Sequence, residues 1–256
     1  MKNILSEIVE EKFSTVAEAK GSTPLEKIQA ELRIGNFRMS QKFSKGAWNL
    51  IAECKLQSPA KGRLNATHSV LELAKIYESS GAAMLSVHTD KHFLGSNDDF
   101  KKVRAEINLP LLRKDFIIDE YQIYESRWLG ADAVLLIVRI LTPAQLKKFL
   151  YTAWSLGMDA LVEVHDETDL QIAQDTPANF IGINNRNLKN FTTTIDNTLE
   201  LLPRVDKSRV IISESGVQSV GDVKILREAG CDGILVGEGL VRAENISEQT
   251  KLFSEG

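Results

Sequence analysis

The chain has 256 residues, 43% of them hydrophobic and 26% charged, with 16 Gly and only 6 Pro; this excludes disordered, collagen-like and coiled-coil chains and leaves a soluble globular protein. Against 35 acidic residues stand 31 basic ones, a net charge of −4, so no global field attracts nucleic acid or an anionic membrane and any anionic ligand needs a local site. Cys54 and Cys231 lie far apart with no CxxC or Cys/His ligand spacing, which points to neither a disulfide framework nor a structural zinc, and so to a reducing, cytoplasmic compartment.

The amino terminus, MKNILSEIVEEKFSTVAEAK, carries acidic residues inside its apolar pattern and is no secretory signal. No apolar run approaches the roughly 18 residues that span a membrane. Residues 1–45 read as helices: Ile4, Ile8, Phe13 and Val16 recur at helical spacing, and a second helix around TPLEKIQAEL follows a Gly-Ser-Thr break. From residue 46 to 256 short aliphatic runs alternate with amphipathic stretches. The predicted strands are NLIAECK, AAMLSVHT, LPLLRKD, ADAVLLIV, DALVEVH, FIGINNR, RVIISES and DGILVGE, eight in all. Helical stretches such as SVLELAKIYESSG, DEYQIYESRWLG and TPAQLKKFLYTAWSLG separate them, several ending in Gly, as a left-handed residue beyond a helix requires. Eight strand-helix units with parallel pairing predict a single (β/α)8 TIM barrel behind a helical preface. A doubly wound open sheet would be unusually large at eight strands, and no GxGxxG turn follows the first of them.

Chemistry in a barrel collects where the strands end, and here those ends are charged. The first strand closes with Glu53 and Lys55, the third with Lys114, the fifth with Glu163, the sixth with Asn184 and Arg186, the seventh with Glu214 and Ser215. Ionisable groups around one mouth must each be paired or used. Period-2 alternation puts Glu53 and Lys55 on one face and turns Cys54 the other way, towards the helices. Glu163 sits inside an apolar strand between Val162 and Val164, a costly place for an idle carboxylate. Lys114, among facing cations and a semi-apolar wall, is expected to have a pKa free to fall, which would let it act as an acid near neutral pH.

SESG (Ser213 to Gly216) and VGEG (Val236 to Gly239) place small residues after the last two strands, where backbone amides and helix starts commonly make a barrel's phosphate site without a metal. His88 and His92 are four apart, but no third ligand accompanies them, so they read as part of a solvated loop rather than a metal site. Phe93 and Phe116 flank the mouth and offer the surfaces an aromatic substrate would need.

The segments IAECKLQSPAKG, SVHTDKHFLGS, PLLRKDFIIDEYQIYE, ADAVLLIVRIL, LVEVHDE, IGINNRNLKNF, IISESGV and ILVGEGLVR run in order from about residue 49 to 242, and in them the chain resembles the indole-3-glycerol phosphate synthase family, tryptophan-pathway barrels that close the indole ring. The helical preface resembles that family's substrate-covering extension. The resemblance implies ring closure of 1-(2-carboxyphenylamino)-1-deoxyribulose 5-phosphate with loss of CO2 and water, by acid-base chemistry with no cofactor and no metal. It implies Lys114 as the general acid on the ribulose carbonyl and Glu163, with Glu53 and Lys55, in the dehydration, with the assignment of individual protons open. Asn184 would orient the sugar hydroxyls. Ser58 and Arg186 match the family's substrate-carboxylate contacts, and Phe93, Phe116, Leu135 and Leu188 its apolar walls; Glu214 joins the substrate contacts. Lys55, Ser215, Gly216, Gly237 and Glu238 match its phosphate positions, Glu238 through its backbone amide. The expected partner is this phosphorylated anthranilate-sugar alone, with no nucleic acid or membrane and no fused second enzyme, bound by a cytoplasmic monomer with at most weak association to other pathway enzymes.

The chain departs from the family pattern at Leu56, Gln57 and Ala60 in the loop after the first strand, and at Asn187 and Gly239, none of them a proposed catalytic position. A sister barrel, phosphoribosylanthranilate isomerase, would want a thiol base facing the mouth, whereas Cys54 should face outward. A non-catalytic metabolite-binding barrel would be favoured had Lys114 or Glu163 been lost, and neither has.

Overall fold

A computed structural model describes residues 4–58, 61–186 and 192–256. Eight parallel strands close into a barrel: β1 (Asn49–Cys54), β2 (Met84–His88), β3 (Leu111–Lys114), β4 (Ala133–Ile137), β5 (Asp159–Val164), β6 (Phe180–Asn184), β7 (Val210–Glu214) and β8 (Gly233–Val236), with β8 pairing back onto β1. These segments are the eight aliphatic runs of the sequence. They are apolar on both sides because both sides are buried. Ile51, Met84, Leu112, Leu135, Leu161, Phe180, Ile212 and Leu235 fill the barrel interior. Their neighbours, among them Leu50, Leu85, Val134, Val162, Ile181 and Ile234, pack beneath the surrounding helices.

Most helices around the barrel begin on side-chain caps. Ser69, Ser96, Asp119, Thr142, Asp166, Ser219 and Asn245 each accept a bond from a backbone N–H of the first turn, and four of them complete a capping box. Each cap stabilises its helix by about 1 kcal/mol and fixes where the chain turns at the mouth. Gly130 and Gly230 take the left-handed conformation beyond their helices, as the sequence predicted.

The amino-terminal segment differs from its helical reading. Helices α1 (Ile4–Ser22) and α2 (Leu25–Glu31) form, but residues 32–48 run on without helix to the opposite end of the barrel. There Ser40 donates to Asp159 (backbone N to Oδ2, 3.0 Å), Lys45 pairs with Asp232 (2.9 Å), and Met39 and Phe43 enter the barrel interior as its floor. Gly35 makes this course possible: a β-carbon there would meet the Gly157 carbonyl at 2.5 Å. On α1 the buried stripe is Ile8, Lys12 and Val16, spaced by four, while Phe13 is exposed. Lys12 belongs to that stripe because its ammonium is paired inside, 2.6 Å from both Asp90 and Asp115.

Candidate active site

The same alternation that builds the core aims polar side chains into the mouth. From β1, Glu53 is buried, with Lys55 Nζ 3.2 Å from its Oε1. From β3, Lys114 extends its Nζ to 2.6 Å from Glu214 Oε2 at the end of β7 and 3.3 Å from Glu163 Oε2 on β5. Asn184 closes β6; its side chain faces the Glu163 carboxylate and accepts from the Arg186 backbone N–H at 2.9 Å. His165, two residues beyond Glu163 on the same face, places Nε2 3.3 Å from Glu163 Oε1.

Three buried carboxylates therefore share two ammonium groups. That imbalance and burial together decide which proton is held where. Burial works against the charge of Lys114, but Glu214, Glu163 and Glu53 outweigh it and hold Lys114 above the usual lysine range. The expectation of a lowered lysine pKa is thus reversed, because the groups facing Lys114 are anions rather than cations. Burial likewise opposes ionised Glu53 and Glu163. Lys55, His88 and Lys114 nevertheless keep Glu53 well below the carboxylate range, and Lys114, His165 and Asn184 lower Glu163. Glu214 is the group left over: burial, with Glu163 and Glu53 adding to it against Lys114, pushes it up to about 7. Its contact with Lys114 is the shorter of the two, yet it is Glu163 that stays ionised, since Glu163 has further partners and Glu214 Oε1 has none.

One side of the cluster is apolar. Phe93 and Phe116 (centroids 6.2 Å apart), Leu135, Ile137 and, from α1, Leu5 and Ile8 line a pocket that also takes in Ser58, Lys114, Glu163, Asn184, Arg186 and Glu214. On the other side a second hollow is lined by Lys55, Lys61, Arg186, Ser215, Gly216, Gly237 and Glu238, and it shares Glu53, Lys55, Arg186 and Ser215 with the first. Ser215 (φ 64°) and Gly216 (φ 81°), at the edge of this hollow, are both left-handed. The Glu238 carboxylate is engaged by Lys61 (2.6 Å) and Arg242 (3.4 Å).

Every candidate drawn from the sequence lines one of these connected hollows except Leu188, which lies outside the described residues together with Asn187 and Ala60. Two inward histidines were missed. His88 is buried and borders the first pocket, so the solvated-loop reading fails for it; His92 is half-buried, its Nδ1 2.8 Å from Asp90. Alternation was the available signal: His88 is two residues past Ser86, and His165 two past Glu163. Cys54 faces the helix layer, where burial pushes its thiol up. Among the described residues no group of three or more His, Cys, Asp or Glu is arranged around a metal-sized space.

A closed (β/α)8 barrel with an ion-paired lysine and three carboxylates buried at its mouth has the architecture of a barrel enzyme whose site lies at the carboxyl ends of its strands. The chain belongs to the indole-3-glycerol phosphate synthase family, whose sequence model matches residues 5–253. It is 45% identical to the indole-3-glycerol phosphate synthase of Polaromonas sp. over 96% of each chain, and 40% identical to that of Alkaliphilus metalliredigens over 99% of this chain and 98% of the relative. Solved structures share the fold at lower identity. The 3-hexulose-6-phosphate synthase from Salmonella typhimurium has a TM-score of 0.65 at 15% identity, covering 81% of this chain and 97% of that one. Orotidine 5'-phosphate decarboxylase from Pyrococcus horikoshii has a TM-score of 0.61 at 13% identity, covering 80% and 97%.

Proposed function

We propose that this chain converts 1-(2-carboxyphenylamino)-1-deoxyribulose 5-phosphate into indole-3-glycerol phosphate, CO2 and water. The observation that carries the proposal is the position of Lys114, held charged between Glu163 and Glu214 in the apolar pocket, which joins the small-residue hollow through Glu53, Lys55, Arg186 and Ser215. The substrate's aromatic ring lies against Phe93, Phe116 and Leu135, its carboxylate meets Arg186 and Ser58, and its phosphate takes the amides of Ser215, Gly216, Gly237 and Glu238 beside Lys55. Lys114 gives its proton to the ribulose carbonyl oxygen as the carboxylate-bearing ring carbon attacks. An alkoxide is more basic than an amine, so a firmly held lysine proton still moves downhill. Loss of CO2 restores the aromatic ring. Water then leaves, with Glu163, Glu53 and Lys55 moving the protons and Asn184 and Glu214 holding the sugar hydroxyls.

The amino-terminal helices serve as the cover of the site. Leu5 and Ile8 reach the pocket and Lys12 fastens α1 to Asp90 and Asp115, which supports that role. The protein works as a cytoplasmic monomer, associating at most weakly with other pathway enzymes. Large exposed apolar side chains such as Phe13, Ile34, Tyr151 and Ile225 are spread along the chain, and no helix among the described residues is long and apolar enough to cross a membrane. Incubating the purified chain with the carboxyphenylamino-deoxyribulose phosphate tests the activity: indole fluorescence and stoichiometric CO2 are expected, and near silence from a folded Lys114→Ala variant. Binding of the substrate without either product would overturn the proposal.

A further inference from the structure

His88 is among the mouth residues with no task in the reaction as assigned. His88 ends β2 on its inward face and sits beside Lys114 in the register of β2 with β3. Its side chain is 6% exposed, and its Nε2 has no well-directed hydrogen-bond partner although Glu53 Oε1 is 3.2 Å away. A purely apolar side chain would complete that wall without leaving a buried ring nitrogen poorly satisfied, so the nitrogen calls for a use in the occupied site. Hydrogen bonds of this kind are often long or off-axis until substrate is bound.

The surroundings fix the ring. Its plane stacks on Phe93 with centroids 4.5 Å apart and 6° between planes. Lys55 Nζ lies 5.3 Å from the Phe93 centroid and 3.2 Å from the same Glu53 Oε1. Glu53, His88, Phe93 and Lys55 thus form a closed circuit of contacts in which one carboxylate oxygen faces both an imidazole and an ammonium.

We propose that His88 is a positioning residue for the reaction, its Nε2–H holding the Glu53 carboxylate in place while the stack on Phe93 steadies the wall that receives the aromatic ring. The inference rests on the assignment of Glu53 to the dehydration. The charged groups facing the imidazole are Glu53 and Lys55 from β1 and its exit and Lys114 from β3; Glu53 itself also faces Lys114 and Glu214. Burial lowers the His88 pKa, Glu53 pulls it up, and Lys55 and Lys114 reinforce the burial, so the ring is neutral at neutral pH and carries a single N–H. A neutral donor orients the carboxylate without displacing Lys55 from it.

The test compares full-length wild type with His88→Leu, His88→Gln and Glu53→Gln, all checked for fold by circular dichroism. The acid limb of the kcat/KM profile should move up by about one pH unit in His88→Leu, a tenfold loss on that side. It should return in His88→Gln, whose amide nitrogen reaches the place of Nε2. Side-chain nitrogen NMR of the wild type should show His88 as the Nε2–H tautomer, with a resonance that shifts in Glu53→Gln. An unmoved acid limb in His88→Leu, with Glu53→Gln inactive, overturns the proposal alone. Wild-type turnover in Glu53→Gln overturns the assignment of Glu53 and the proposal with it.

Discussion

Gly182 on β6 lies directly against Glu214 on β7: a β-carbon at residue 182 would fall 2.0 Å from Glu214 Oε1 and 3.1 Å from its Cδ. The carboxylate occupies the space that any other residue's side chain would claim. Gly182→Ala should therefore push Glu214 off Lys114 rather than weaken the strand, since alanine suits a strand at least as well as glycine. Expected is a fall in kcat/KM of about a hundredfold, the scale of removing one electrostatic contact from a buried site. Steady-state kinetics with circular dichroism as the fold control checks it; wild-type kinetics would mean that Glu214 is not held there.

The titration of Glu214 gives stability an unusual sign. Its folded pKa, about 7, lies above its ordinary 4.5. Across that window the unfolded chain releases a proton that the folded chain keeps, so stability from this group is full below the window and falls as pH rises through it. Glu53 and Glu163, held low, behave oppositely: their contribution is present above the ordinary carboxylate range and fades as pH falls through their lowered values. In chemical denaturation between about pH 5 and pH 8, wild type should lose ground to Glu214→Gln as pH rises. A difference between the two that is flat in pH would show that Glu214 ionises normally in the folded protein.

The barrel was legible because each strand is apolar on both faces, and an ionisable residue inside such a run, as with Glu163, announces itself. What escaped depended on partners distant in sequence. Whether Lys114 meets cations or anions is set by closure of the barrel, which brings β5 and β7 to it, and no local pattern around residue 114 carries that. Residues 32–45 likewise lose their helix to Asp132, Asp159 and Asp232, which receive Arg38, Ser40 and Lys45 at the barrel floor. His88 and His165 are a different kind of miss, since alternation alone aims both into the mouth.

Lys12 ties α1 to the rim beside Lys114. Its ammonium is 2.6 Å from Asp90 and from Asp115, with all three groups buried, and Asp115 also takes bonds from Arg113 and Thr89. Lys12→Met keeps the stem and removes the charge, leaving two buried carboxylates short of a cation. The expected cost is about 3 kcal/mol in urea unfolding, the low end for breaking a buried pair, because both aspartates retain other partners. Hydrogen exchange should show α1 opening first, and KM should rise by a larger factor than kcat falls. Equal protection of α1 in both proteins would deny the lysine its fastening role.

Phe43 provides the opposite case, stability without chemistry. It enters the barrel from below, 2% exposed, packed among interior side chains that include Met39, far from the carboxylates at the mouth. Phe43→Ala opens a cavity in the floor and should cost about 3 to 5 kcal/mol. Since the mouth is built from residues at the other ends of the strands, KM at a temperature where the variant is still folded should stay within about twofold of wild type, the limit expected for sites that share no partners. Thermal melts and substrate saturation curves on one preparation separate the two effects. A KM that rose as steeply as stability fell would mean that the floor and the mouth move together, and that the plug formed by residues 38–46 controls the geometry of the site as well as closing the barrel.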